Sequence, residues 1–177
     1  LNPSVGAVVV KNDSVISSGV TSLKGRPHAE FNALFKIKNC SGASLYTSLE
    51  PCVHYGLTPP CTKIISKKKI KKVYFGSYDP DIRSYKKAKF FLKKKSIDAK
   101  KIKSNNYKNF YKSYFINKKL NIPFISAKVA VSNDFFSINY KKKWITNENS
   151  RKIVHLLRSR YDCILSTSKT INLDNSL

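Results

Sequence analysis

The chain has 177 residues, a formal net charge of +24 at pH 7 and an isoelectric point near 10.0. That length allows one ordinary domain, or one domain and part of another, with enough chain to bury a real core. No apolar run is long enough to span a membrane as a helix and no signal peptide is recognisable, so a cytoplasmic protein is expected. In that setting the four cysteines, at 40, 52, 61 and 163, are not a disulfide framework. Cys40 and Cys163 read as packing residues. The chain contains no Met, and residue 1 already opens a packed-looking segment, so a preceding N-terminal segment is expected. Clustered lysines neutralise phosphates, which would favour a nucleic-acid partner. Here the runs at 67–72, 93–95 and 141–143 are scattered and Lys far outnumbers Arg, the mark of compositional drift on solvated faces. The summed field still attracts a phosphorylated small molecule.

In chain order, Val5–Val10 reads as a strand, 11–14 as a turn and Val15-Ile16 as a second strand, giving a β-hairpin. Gly19 to Gly25 reads as a loop. A helix begins at Ala29 with Phe31, Leu34, Phe35 and Ile37 on one face, so His28 and Glu30 lie at its N-terminal end. Leu45–Leu49 is a buried strand. Pro51 suits the first turn of a helix, which would put Cys52 at a helix N-terminus, where the dipole favours thiolate. The segment 53–60, with Gly56 and Pro59-Pro60, is irregular. Cys61 opens a helix carried by Ile64, Ile65 and Ile70, and 73–75 is the next strand. After a turn at Asp79-Pro80, Ala88, Phe91 and Leu92 form a helical face, and Ile97 starts a short strand. Tyr107, Phe110, Tyr111 and Tyr114 mark a connecting helix, and the domains are expected at 1–121 and 122–177. Beyond the boundary come the apolar run Phe124–Val131, Trp144-Ile145-Thr146, a helix over 147–161 with Ile153, Leu156 and Leu157 on one face, and a strand at Ile164-Leu165. Strands alternating with helices argue α/β throughout.

The chemistry concentrates between His28 and Cys61. One His and two Cys are the ligand set of a catalytic zinc that keeps its fourth position open. Glu30, two residues past the His, is left to move protons. His, Glu and two Cys in this order is the zinc-deaminase pattern, in which the Glu is a proton shuttle and not a ligand. The pattern usually places two residues between the cysteines; here there are eight. Such a site makes water acidic, and hydroxide attacks a ring carbon bearing an amino group. Glu30 would take the water proton and deliver it to the ring and then to the leaving ammonia. A closed structural zinc is the alternative, with His54 as the fourth ligand.

Asn2-Pro3, the run Val5–Val10, His28-Ala29-Glu30 and Thr47–Cys61 together resemble the bifunctional riboflavin-biosynthesis deaminase–reductases. The eight-residue gap with His54-Tyr55-Gly56 and Thr58-Pro59-Pro60 is similar to that family's form of the zinc loop, and Asp79-Pro80 to its following turn. The resemblance continues through Pro123-Phe124, Lys128, Ser132-x-Asp134, Trp144-Ile145-Thr146, Leu157-Arg158 and 170–177, which look like the start of the reductase part. It implies a cytidine-deaminase-like three-layer domain, a mixed sheet flanked by helices, followed by the truncated start of a dihydrofolate-reductase-like α/β domain. It implies deamination of 2,5-diamino-6-ribosylamino-4(3H)-pyrimidinone 5′-phosphate, with NADPH-dependent reduction in the full-length protein. Carried over by position, His28, Cys52 and Cys61 are zinc ligands and Glu30 the proton donor. Asn2, His54 and Asp79 contact the pyrimidine or its ribose phosphate. Ala130, Trp144, Thr170 and Asp174 contact NADPH, and Arg158 contacts substrate, where a guanidinium fork suits phosphate. The chain departs from the pattern at Leu57, where Lys or Arg is usual, at Thr21, where His is frequent, at Asp81 and Phe135, where Asn and Gly are usual, and at Lys142, which replaces a small polar residue.

Two other readings use the same residues. One is a deaminase of bases in transfer RNA, which the charge favours and the long zinc loop and reductase-like tail oppose. The other is a non-enzyme that keeps zinc only for folding, which gives no reason for Glu30. The expected partner is a phosphorylated small molecule, with no nucleic acid, no membrane and a homo-oligomer allowed.

Overall fold

The computed structural model describes residues 2–137 and 144–174, with positions 173 and 174 described as backbone only. The chain divides into two compact units, Leu1–Phe124 and Ile125–Leu177.

The first unit is built on a five-stranded sheet in the order β2-β1-β3-β4-β5. Its strands are β1 (Gly6–Lys11), β2 (Ser14–Val20), β3 (Ser44–Leu49), β4 (Lys72–Ser77) and β5 (Asp98–Lys101). β1 runs antiparallel to β2 and β3, whereas β3, β4 and β5 are mutually parallel. This is the mixed cytidine-deaminase-like sheet that the resemblance implied. The helices α1 (Ala29–Phe35), α2 (Cys61–Lys67) and α3 (Ala88–Lys93) connect the strands. Then α4 (Asn105–Phe110) and α5 (Lys112–Leu120) follow β5. One core joins Ala7, Val9, Leu45, Val73 and Ala99 of the strands to Ala33, Leu34, Ile65 and Leu92 of the helices. α4 lies close on the sheet at Gly76, where an added Cβ would stand 2.5 Å from the Tyr107 ring. At the α4–α5 junction the fully buried Tyr111 exchanges a 2.6 Å hydrogen bond with Ser48 Oγ and donates to the Ser4 carbonyl.

Sequence expectations change at several points in this unit. β2 does not stop at Ile16 but continues through Val20, so the loop begins later. The buried face of α1 is Ala29, Glu30, Ala33 and Leu34, while Phe31 and Phe35 point outward and stack on each other with centroids 5.2 Å apart. The reason is close approach: a Cβ on Gly19 of β2 would meet Ala33 N at 2.5 Å and Ala29 O at 2.6 Å, so only small residues fit the helix face there. In α3 the buried residues are Ala88 and Leu92, and Phe91 is exposed.

The second unit contains α6 (Glu148–Arg158) and α7 (Ser168–Asp174) and no strand among its described residues. The strand expected at Ile164-Leu165 is not formed; no described segment pairs with it, and Leu165 is exposed. Cys163 is likewise exposed and not packed. Asn147 caps α6, accepting from Ser150 N at 2.8 Å. The basic run 141–143, with Lys142, lies outside the described residues. Among the described residues no helix is long and apolar enough to cross a membrane.

Candidate active site

His28 is the N-cap of α1, in extended conformation, and Glu30 sits in the first turn. Their two-residue spacing sends the imidazole to one side of the helix start while Glu30 is buried. Cys61 is the first residue of α2. Cys52 is not at the start of its own helix: positions 51–60 are irregular, so Pro51 opens no helix. The helix end that Cys52 meets belongs to α2, because Cys61 N donates to Cys52 Sγ at 3.2 Å. The expected thiolate-stabilising dipole is present, supplied across the loop.

His28 Nδ1 lies 3.3 Å from Cys61 Sγ and 3.7 Å from Cys52 Sγ, and the ligand atoms of all three residues lie within 4.8 Å of one another. A tetrahedral zinc with Zn–S near 2.3 Å and Zn–N near 2.0 Å separates N and S ligands by roughly 3.5 Å. The donor set therefore fits zinc in type and spacing. Among the described residues the cluster stops at three. His54 does not complete it; its Nδ1 lies 2.9 Å from Ser84 Oγ. Three protein ligands are the number usual in catalytic zinc sites, whereas closed structural sites have four.

Charge in the cluster is shared. The hydrogen bond from Cys61 holds the Cys52 thiol down to about 4, with His28 and the Cys61 N–H helping. The same bond and burial push Cys61 well up. The bond to Cys52 raises His28. Burial, and then the Cys52 charge, push the Glu30 carboxyl up to about 7. The proton held between the two thiols therefore favours Cys61 over Cys52. Zinc uptake must displace the Cys61 proton and whatever proton His28 holds. Zinc affinity is accordingly expected to rise with pH through the neutral range. Calorimetric titrations in buffers of different ionisation enthalpy should show at least one proton released per zinc; no release would contradict this charge state.

The cluster opens into a cavity of about 60 Å³ lined by His28, Glu30 and Cys52 together with Asn2, His54 and Asp79. Three of the four predicted substrate contacts are thus brought to one cleft. The Asn2 amide is 2.8 Å from the Gly25 carbonyl and 3.3 Å from His28 Nε2. Buried Asp79 accepts from Asp81 N and from the Tyr114 hydroxyl, both at 3.0 Å. Arg158, on α6, belongs to the second unit and is exposed, as is Thr170 on α7. Ala130 is half-buried, and Trp144 carries the Arg151 guanidinium 4.6 Å over its ring. The Asp174 side chain lies outside the described residues.

The sequence reading missed Arg26, Arg83, Tyr114 and Lys118, which line the same cleft. No local pattern marks them, since they come from three separate segments, the loop before α1, the turn after β4 and helix α5. It also missed Glu50, a buried carboxylate that accepts from Asp79 N at 3.2 Å and from Lys86 N and Ala88 N at 3.0 Å. Glu50 ties the end of β3 to the turn after β4 and to the start of α3. Glu50→Ala would leave three backbone donors without their acceptor, at about 1–3 kcal/mol for each left buried. With the Asp79 and Ala88 donors buried, a loss of at least about 2 kcal/mol in unfolding free energy is expected in urea denaturation.

Fold and cluster together define a cytidine-deaminase-like domain with a His/Cys/Cys site that fits zinc. Residues 1–77 match the family described as the cytidine and deoxycytidylate deaminase zinc-binding region. The riboflavin biosynthesis protein RibD of Buchnera aphidicola is 36% identical over 186 residues, covering 99% of this chain and 48% of that protein. The diaminohydroxyphosphoribosylaminopyrimidine deaminase/5-amino-6-(5-phosphoribosylamino)uracil reductase of Thermotoga maritima superposes with a TM-score of 0.89 at 34% identity, covering 99% of this chain and 52% of that one. RibD of Acinetobacter baumannii gives 0.88 at 31% identity, with coverage of 99% and 50%. Over nearly its whole length the chain is similar to these riboflavin-biosynthesis deaminase–reductases, and it spans about half the length of the relatives it matches.

Proposed function

We propose that the first unit removes an amino group hydrolytically from 2,5-diamino-6-ribosylamino-4(3H)-pyrimidinone 5′-phosphate. The observation that carries this reading is the three-ligand cluster beside buried Glu30 in a cleft that also holds Asn2, His54 and Asp79. His28, Cys52 and Cys61 would hold zinc, which supplies Lewis acidity and lowers the pKa of water. Asn2, His54 and Asp79 orient the pyrimidine and its ribose by hydrogen bonds. The Glu30 carboxylate accepts a proton from the attacking water and returns it to the ring nitrogen beside the amine-bearing carbon. It then takes the second water proton and delivers it to the departing amine. Ammonia leaves, a carbonyl replaces the amine, and the carboxylate is restored. Burial suits Glu30 to this, because it raises the carboxyl toward the range in which it can both take and give protons.

The substrate class rests on the family and on the cations of the cleft. The NADPH-dependent step belongs, on this reading, to the reductase part that the second unit opens. Ala130, Trp144, Thr170 and Asp174 would contact the nucleotide there, and Arg158 the substrate. A cytoplasmic setting agrees with ligands that must stay as reduced thiols. A homo-oligomer is compatible with this reading. The test is competition: zinc-loaded protein is offered the ribosylaminopyrimidinone phosphate and deoxycytidylate together. Ammonia from the first in large excess over the second is expected. Preference for deoxycytidylate would overturn the substrate assignment while leaving the deaminase standing.

A further inference from the structure

Among the residues lining the cleft, Arg26, Arg83 and Lys118 are the cations beyond the metal cluster. In a chain with 34 Lys and Arg residues, 1–124 contains only two arginines, Arg26 and Arg83, and both line this cleft. Lysines elsewhere serve as solvated charge. An arginine offers a rigid fork that grips two oxygens of one anion, which a lysine cannot.

That fork already holds an anion. Arg83 Nε donates to Asp81 Oδ1 at 2.9 Å and Nη2 to Oδ2 at 2.6 Å. Lys118 Nζ approaches the same Oδ2 at 4.0 Å. Two cations from separate segments, the turn after β4 and helix α5, thus converge on one carboxylate at the rim. The other carboxylates are engaged elsewhere. Glu50 is held by three backbone donors and Asp79 by Asp81 N and Tyr114. Arg26 is fixed on the loop by Thr58, with Gly56 leaving room for its guanidinium. The tip of that loop contributes no charge, since Leu57 is apolar and 91% exposed.

We propose that Arg83 with Lys118, assisted by Arg26, seats the 5′-phosphate of the substrate, and that Asp81 occupies this seat as an internal counter-ion which phosphate displaces. The substrate class is the one proposed above. Asp81 sets selectivity by this means: an uncharged substrate gains nothing by displacing a bonded carboxylate, whereas a dianion brings more charge to the same donors.

The experiment titrates the zinc-loaded protein with ribose 5-phosphate and with ribose, following amide shifts by NMR, for the parent, Arg83→Met and Asp81→Asn. The parent should prefer the phosphate. Arg83→Met should weaken ribose 5-phosphate by about 10- to 100-fold, the loss of a charge-assisted bidentate contact. Asp81→Asn should tighten it, because the competing anion is gone. Opposite signs are the diagnostic result, since a purely structural Asp81–Arg83 pair would be damaged alike from either side. Equal effects in the two variants, or a parent that does not distinguish ribose 5-phosphate from ribose, would overturn the proposal. Ammonia release is measured in parallel on the ribosylaminopyrimidinone phosphate. Phosphate binding that depends on Arg83 without any ammonia would sink the deaminase reading and keep the seat. Ammonia release with KM unchanged in Arg83→Met would sink the seat alone.

Discussion

Glu30→Gln is expected to lower turnover by about a thousandfold while zinc content stays at one per chain. The size follows from the role: a positioned acid–base group contributes about 10²–10⁴ in rate. Gln matches the carboxylate in shape but neither accepts nor returns a proton. Zinc retention follows from geometry, because the ligand cluster consists of His28, Cys52 and Cys61 and does not include Glu30. Folding should survive as well: burial already makes the Glu30 charge unfavourable, so a neutral isostere relieves a desolvation cost. The check is an ammonia assay run beside elemental analysis of the same preparation. Activity within tenfold of the parent would remove Glu30 from the mechanism. Joint loss of metal and activity would make it a ligand and contradict the cluster.

Cys52→Ser is expected to lose both zinc and the stability that zinc confers. The thiolate at Cys52 is favoured by Cys61, His28 and the Cys61 N–H, a set of donors that a neutral hydroxyl cannot use equally. A ligand present at 100 to 1,000 times its dissociation constant stabilises the folded state by about 2.7–4.1 kcal/mol. Most of that zinc-dependent increment should vanish in the variant. Thermal unfolding with and without added zinc reads it directly: the parent's midpoint rises with zinc and the variant's does not. Cys163→Ser, at the exposed cysteine outside the cluster, should keep full zinc content and serves as the control. Stoichiometric zinc in Cys52→Ser would contradict the ligand set.

How much of this was legible in the sequence depends on where each residue's neighbours come from. The His28–Glu30 pair was readable because a helix start and a two-residue spacing are local facts. The hairpin, β3 and β4 were readable because apolar runs bounded by turns are local too. The buried face of α1 is hidden from the sequence because its large apolar side chains point to the wrong side. Contact with Gly19 of β2 instead requires Ala29 and Ala33 there, and nothing near position 30 signals that. Pro51 suits a first turn and so suggests a helix at Cys52 that does not form. The helix end that Cys52 meets is that of α2, which only the fold of the loop reveals. The Ile164-Leu165 pair has strand composition, but a strand exists only with a partner, and none pairs with it among the described residues. Lys118 and Glu50 are hidden for the same reason. Their roles lie in contacts with the turn after β4, reached from separate parts of the chain.

The most direct test of the account as a whole is a zinc titration of ammonia release. Metal-free protein is supplied with increasing zinc, and ammonia from the ribosylaminopyrimidinone phosphate is measured at each step. The account predicts no release without metal, a linear rise, and a plateau at one zinc per chain. Ammonia release independent of zinc, or one zinc bound per chain with no ammonia released, would contradict it.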